Sequence, residues 1–382
     1  MNKQQNMKKI QEYFDYLLDN STWEKPMWNI EHIMSGKPNK WNYIDGCMIT
    51  AVLAMYKITG NIKYLNFADN FMSGFVKENE ILTYDIKEYN LDNINPAKNL
   101  FELYNYTKKE KYLNAIKLVR SQLDTMPRIK QGNFWHKKIY PNQVWLDGLY
   151  MAQPFYMQYE TQLNDKKGCL DSFKQFCVVR NRMRDEKTGL YYHGYDESCQ
   201  MYWADKKTGC SPNFWLRAVG WFTIALVDTI EVMDEQMYYE YRTLRNQLRE
   251  LINDLLKYQA EYGMFYQIID KADEPKNYKE TSGTAIIAYG ILKAVRLGIL
   301  SEEYAKYGEK AFWGIVERYL KFDNDGKPIL GGICLVAGLG GNNHRDGSLE
   351  YYFSEKVVEN EAKGVAPFIL AFTELLAREK EI

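Results

Sequence analysis

Along most of the chain, apolar residues return every three or four positions, the period of an amphipathic helix. That spacing predicts twelve helices, over residues 4–19, 45–58, 62–77, 92–106, 109–124, 147–162, 168–184, 214–233, 236–260, 282–297, 302–321 and 361–378. Glycines and prolines fall in many of the gaps, where caps and turns need them. No segment alternates long enough to predict a substantial sheet, though short hairpins are expected around 190–203 and 327–336.

Successive helices differ in character. Every second one is apolar and rich in Ala, Met, Leu and Ile, whereas those between are amphipathic and more charged. The apolar set also opens alike, with "YIDG" (43–46), "YNLDN" (89–93), "WLDG" (145–148), "FWLRAVG" (214–220), "ETSGTA" (280–285) and "ENEAKG" (359–364). "KYLN" recurs at 63–66 and 111–114, each time at the start of an amphipathic helix. This is repetition of helix pairs. Six pairs with buried and half-exposed members predict an all-α fold, an (α/α)6 barrel, as a single domain over 1–382. An open helical solenoid is the alternative, but it favours uniform loops. Here the loops ahead of the apolar helices (20–44, 125–146, 185–213, 261–281 and 322–360) are long and irregular. Long loops gathered on one face are where a site is built.

Composition narrows the chemistry. The chain of 382 residues carries 31 Tyr and 9 Trp, an aromatic share of 15% that suits stacking on sugar rings. A net charge of −1 offers no attraction for nucleic acid or anionic membrane. Six cysteines lack metal-ligand spacing and read as reduced thiols of a cytoplasmic protein. The opening "MNKQQNMKKIQEYF" has no apolar run of the kind a signal peptide needs. No metal and no other cofactor are expected, and the oligomeric state, including a homo-oligomer, stays open.

Asp147 follows Trp145 at the entry to an apolar helix, and Asp45 and Asp92 hold comparable places. An N-cap is the plain explanation for any one of them. Three at the starts of apolar helices would instead converge on one barrel mouth, and converging carboxylates are equipment for acid–base work on a glycosidic substrate. Burial beside aromatics would keep one of them, Asp147, protonated. "NFWLRAVGWF" (213–222) sets Arg217 and Trp221 four residues apart on one helix face, a clamp for an acidic sugar. His136 and Lys137 in "FWHKK", and His193 in "YYHGY", lie on loops expected at the same mouth. The glycine-rich stretch 331–355 lacks a phosphate-loop pattern but carries Arg345, Asp346, Tyr351 and Tyr352.

"VWLDGLYMAQPF", "NFWLRAVGWFTIALVD" and "RDGSLEYYFSEKVVENEAKGVAPFILA" together resemble glycoside hydrolase family 105, the unsaturated rhamnogalacturonyl hydrolases. The resemblance implies an (α/α)6 barrel acting on small oligosaccharides that end in a 4,5-unsaturated uronic acid. It implies that Asp147 protonates C4 of the vinyl ether and helps water attack C5, with Asp92 supplying negative charge. Arg217 and His193 would hold the substrate carboxylate. Tyr43, His136, Lys137, Trp145 and Trp221 match positions lining the sugar subsite. Leu216, Ala218 and Val219 are bulkier and more apolar than that pattern suggests, which implies a smaller, drier neighbouring subsite. Unsaturated glucuronyl hydrolases are the near alternative, and a non-catalytic helical-repeat carbohydrate-binding protein the distant one.

Overall fold

The computed structural model of the chain describes residues 3–323 and 326–381. Its helices are α1 (Lys3–Asp19), α2 (Ile30–Ser35), α3 (Tyr43–Thr59), α4 (Ile62–Phe75), α5 (Lys98–Thr107), α6 (Glu110–Gln122), α7 (Leu146–Leu163), α8 (Cys169–Met183), α9 (Leu216–Val232), α10 (Tyr238–Leu256), α11 (Thr281–Arg296), α12 (Ala305–Tyr319), α13 (Leu349–Ser354) and α14 (Ala362–Glu381). Three antiparallel ribbons pair β1 (Gln143–Trp145) with β2 (Gly194–Asp196), β3 (Leu320–Phe322) with β4 (Pro328–Leu330), and β5 (Ile333–Cys334) with β6 (Val357–Val358). All twelve expected helices are present; α2 and α13 are short additions inside the loops.

The even-numbered members of that set of twelve form an inner ring: α3, α5, α7, α9, α11 and α14. Neighbours pack in that order, and α14 closes the ring against α3. Closure excludes the open solenoid, and the fold is an (α/α)6 barrel. The sequence chemistry explains which helix goes where. Every residue of α9 from Leu216 to Ile230 is buried, as is every residue of α11 from Thr281 to Val295. Such helices need protein on all sides. On α10, by contrast, Leu244, Gln247, Leu248, Leu251, Ile252 and Leu255 are buried, one stripe at helical spacing. The chain's first helix completes the outer ring. Tyr13 Oη of α1 donates to Asn360 Oδ1 at 2.8 Å, just ahead of α14, and Tyr64 Oη of α4 donates to Asp15 Oδ1 at 2.8 Å.

Two local expectations are corrected. The helix expected from residue 92 begins at Lys98, after 3-10 turns at Leu91–Asn93 and Asn95–Ala97. An α-helix begun at 92 needs the amide of residue 96 to donate to the carbonyl of 92, and Pro96 has no amide hydrogen. The segments 190–203 and 327–336 do not form hairpins of their own. Asp196 curls the chain after β2 by accepting from the amides of Ser198 (3.0 Å), Gln200 (2.9 Å) and Met201 (2.9 Å), so β2 finds its partner in β1. Around Gly331 and Gly332 the chain changes partners, β4 pairing back to β3 and β5 forward to β6.

The small residue repeated near the starts of the inner helices is a packing requirement. A Cβ on Gly46 would lie 2.8 Å from both Asn95 Oδ1 and Pro96 Cα, and one on Gly283 would lie 2.4 Å from Leu216 Cγ. Gly46→Ala gains about 1 kcal/mol of helix propensity, but the backbone of Pro96 cannot swing aside as a side chain can. Overpacking of this kind costs roughly 1–3 kcal/mol, so a net loss of stability is expected. Urea denaturation of the variant checks it; an increase in the midpoint contradicts this account of the contact.

Candidate active site

The site is assembled by a backbone ladder across three loops. Residue 136 sits between two neighbours: Leu91 N donates to His136 O at 3.1 Å, and His136 N donates to Gln143 O at 2.8 Å. β1 then pairs with β2, placing Trp145 opposite Gly194, and Leu146 N donates to His193 O at 3.0 Å. Ser211 N continues the ladder by donating to Gly194 O at 2.9 Å. Each strand is only a few residues long. Together they set Asp92, His136, Lys137, Trp145, Asp147 and His193 side by side.

Asp147 is not an N-cap. Trp145 occupies that place on α7 and makes no side-chain capping bond. The Asp147 side chain is 14% exposed, and its Oδ2 lies 3.2 Å from His193 Nε2. That is a hydrogen-bond distance, though the pair is misaligned for a linear bond. Burial raises the affinity of Asp147 for a proton, but His193 by hydrogen bond and charge, then His136 and the backbone, outweigh it and hold the carboxyl below its ordinary value. The expectation of a protonated Asp147 is therefore corrected for the free protein: the histidine imposed by the ladder stabilises the anion. On the far side of the ring, His193 Nδ1 is 2.7 Å from Tyr352 Oη.

Asp92 lies in the Leu91–Asn93 turn, where Asn90 caps its amide. Its Oδ2 is 2.5 Å from Lys137 Nζ and its Oδ1 is 3.7 Å from His136 Nε2. His136 is 3% exposed. Burial pushes its pKa down to about 4, against the pull of Asp92 and Asp147. Trp145 forms the aromatic wall: His136 stacks on it at 4.5 Å between centroids, Tyr140 at 4.9 Å, and His193 meets its edge at 5.5 Å.

Arg217 and Trp221 do not form the expected clamp. Arg217 lies over Trp215 instead, 4.8 Å from its ring, while Trp221 stacks on Tyr150 inside the barrel at 4.8 Å. Arg217 is 1% exposed. Its Nη1 donates to Ser282 Oγ and to the carbonyl of Cys334, so the guanidinium ties α9 to α11 and β5. Two residues N-terminal rather than four C-terminal is the partner that the bend before α9 selects. Tyr43, half-buried, lies under Lys363, whose Nζ is 5.9 Å from its ring and pairs with Glu31 at 3.0 Å and Glu361 at 2.9 Å. Glu31 is held below the ordinary carboxylate range by Lys363 first, against its partial burial, with Arg217 and Lys137 adding to the pull.

Asp45 does not join the other carboxylates. It is 3% exposed and accepts from Asn39 Nδ2 (2.7 Å), Asn42 Nδ2 (2.9 Å), Trp28 Nε1 (2.9 Å) and Asn29 Nδ2 (3.3 Å). It is a structural anchor for the loop ahead of α3. Leu216, Ala218 and Val219 are fully buried in α9, Leu216 beneath Gly283, so they pack the barrel wall and line no subsite. Trp215 and Tyr140, packed on His193 and Trp145, and Lys363, paired with two glutamates, are further residues of the site that the sequence motifs did not single out. Aromatic residues beside the singled-out loop motifs were the available signal. A cavity of about 440 Å³ opens at the other end of the ring, lined by Lys98, Asp228, Lys293 and Glu374 among others. Its charges are largely matched within it, as in Lys293 with Asp228 at 2.7 Å and Arg296 with Glu374 at 2.7 Å. Among the described residues no three His, Cys, Asp or Glu side chains cluster as metal ligands would, and no helix is long and apolar enough to cross a membrane.

A closed double ring of helices with carboxylates, histidines and aromatic walls at one mouth defines a glycoside-cleaving barrel enzyme. The chain belongs to the family described as Glycosyl Hydrolase Family 88, whose model matches residues 18–379, and within that group it aligns with family 105. A solved structure of a family 105 glycoside hydrolase from C. acetobutylicum ATCC 824 is 39% identical, covers 96% of this chain and 98% of its own, and superposes with a TM-score of 0.88. Protein Atu3128 of Agrobacterium fabrum is 40% identical over 237 residues, 60% of this chain and all of its own length. Unsaturated rhamnogalacturonyl hydrolase YesR of Bacillus subtilis (strain 168) is 24% identical over 72% of this chain and 76% of its own.

His136 sets a pH dependence of stability. Between about pH 6.5 and pH 4 the unfolded chain protonates this residue and the folded chain keeps it neutral. The unfolded state then binds more protons, so stability falls as pH falls through that window, by about 3 kcal/mol in total. Urea denaturation across the window should show this slope in the native protein and a shallower one in His136→Gln. Equal slopes would mean that residue 136 is not buried neutral.

Proposed function

We propose that the chain removes the terminal 4,5-unsaturated galacturonic acid from rhamnogalacturonan oligosaccharides by hydrating its vinyl ether. The observation that carries this is the convergence of Asp147 and Asp92 on one mouth walled by Trp145, His136 and Tyr140. The kinship with YesR supports the sugar. Glu31, at the same mouth, already feels Lys363, Arg217 and Lys137, and a substrate carboxylate entering there meets the same positive field. Six unpaired thiols support a reducing compartment, and the proposed setting is the cytoplasm.

In the proposed cycle the carboxyl proton of Asp147 passes to C4 as the C4–C5 π pair forms the new C–H bond. Positive charge develops at C5 and the ring oxygen, and Asp92 stabilises it. Water attacks C5 and returns a proton to Asp147. The resulting hemiketal opens to a ketone, and the hemiacetal left at C1 collapses to an aldehyde, freeing the aglycone. One water is consumed and the enzyme is restored. Asp147 is an anion in the free protein, so it must take up its proton in the complex. The substrate's negative charge and the exclusion of water both push in that direction.

Two outcomes follow. Asp147→Asn should abolish loss of the ultraviolet absorbance of the conjugated enol acid, with lyase-generated unsaturated rhamnogalacturonan disaccharide as substrate, while circular dichroism stays unchanged. Turnover by this variant, or faster turnover of an unsaturated glucuronyl disaccharide by the native protein, would overturn the assignment. The pH profiles should also separate. kcat/KM reports the free protein, where Asp147 is held below the ordinary carboxylate range, and should decline from the acid side as pH rises, whereas kcat reports the complex and should hold level to higher pH. Profiles that fall together would contradict uptake of the proton on binding.

A further inference from the structure

Tyr352 is fully buried, and its phenolic oxygen has a single hydrogen-bond partner among the described residues, His193 Nδ1 at 2.7 Å. The direction of that bond follows by elimination. If His193 Nδ1–H donated to the phenol, the phenolic hydrogen would be buried with no acceptor, an arrangement proteins avoid. Loss of the proton is no escape, because burial, with Tyr351 and Asp147 nearby, holds the phenol's pKa well above its ordinary value. The phenol therefore donates to Nδ1. A neutral imidazole with an acceptor at Nδ1 carries its hydrogen on Nε2, and Nε2 faces Asp147 Oδ2 at 3.2 Å. The rings cannot easily exchange roles by turning. Trp215 packs on His193 at 4.8 Å and on Tyr352 at 6.0 Å, and Trp145 closes the edge of His193 at 5.5 Å.

We propose that Tyr352 is a positioning residue that locks His193 in its Nε2–H tautomer and thereby dictates which oxygen of Asp147 carries the acid proton. Oδ2 is sealed from solvent and has Nε2–H 3.2 Å away, so a proton placed there would crowd that hydrogen. His193 is the one side chain among the described residues that bonds to this carboxyl, and it does so at Oδ2, so Oδ1 is the oxygen left to hold the proton. His193 thus serves two states with one geometry. It stabilises the anion in the free protein, and it orients the neutral acid once the proton arrives. The catalytic consequence rests on Asp147 being the acid of the proposed reaction; the tautomer does not.

The test separates the two. Nitrogen-15 NMR of protein labelled at histidine distinguishes the two neutral tautomers from each other and from the imidazolium. His193 is assigned by its absence from the His193→Gln spectrum. The expected result is a pyrrole-type Nε2 and a pyridine-type Nδ1 in the native protein, with signal moving toward the other tautomer in Tyr352→Phe, which keeps the ring and removes the donor. Tyr352→Phe should also lower kcat roughly 10- to 100-fold with KM nearly unchanged, the pattern of a misoriented acid. A native Nδ1–H tautomer, or a tautomer unaltered by Tyr352→Phe, overturns the lock. A changed tautomer with undiminished kcat overturns its catalytic role. Absence of turnover by the native protein would overturn the proposed reaction while leaving the NMR result to stand or fall by itself.

Discussion

The pairing of β1 with β2 is the constraint on which the site depends. It is three residues long on each side, yet it brings residues 49 to 53 positions apart into a fixed register. β1 runs directly into α7, so the strand aims Asp147; β2 follows directly on His193, so the same register sets the imidazole beside the carboxylate. A one-residue slip would send every side chain of the strand to the opposite face and separate the pair. Asp196 holds the register by gathering the amides beyond β2. The barrel beneath supplies a rigid floor: α7 packs on α9 within a closed ring, so the strand has no soft base on which to shift.

Asp45 and Asp147 show how one sequence position in a repeat acquires two fates. Both stand just inside an inner helix. Asp45 is surrounded by amide and indole donors that bind both of its oxygens, and a carboxylate so bound has no capacity for substrate or proton exchange. Asp147 has an imidazole on one oxygen and aromatic rings alongside. An imidazole, unlike an amide, has a second nitrogen whose partner sets the state of the first. The difference lies in loops 20–44 and 185–213, which approach these helices from elsewhere in the chain. Buried charge is managed in the same way throughout: Arg217 on carbonyls and Ser282, Lys363 between two glutamates. Each removes the large cost of an unpaired buried charge while tying separate elements together.

Much of the architecture was legible because helix periodicity is local. The apolar stripe of α10 and the all-round apolar surface of α9 are written in consecutive residues, and a helix buried on every side has few places to go but an inner ring. The late start of α5 was legible too, in Pro96, had its missing amide been weighed against the repeat. The partner of Arg217 was not. Trp215 and Trp221 stand at similar sequence distance, and only the direction in which the chain enters α9 decides between them. The bulk of Leu216 suggested a narrowed subsite, but its side chain points under Gly283, a contact made by another helix.

The sequence by itself determined the helix pairs, their alternation of buried and half-exposed character, and hence a closed all-α ring, because burial preference is a property of each residue and its near neighbours. It also marked Asp147, Asp92, His136, Lys137 and His193 as chemistry gathered on the loops. Only the tertiary structure decided that Asp147 faces His193, that Asp45 is spent on its own loop, and that Tyr352 stands behind the imidazole. Those outcomes depend on hydrogen-bond geometry across segments distant in the chain, where a shift of one residue or a few ångströms changes the partner, and no local pattern encodes that distance.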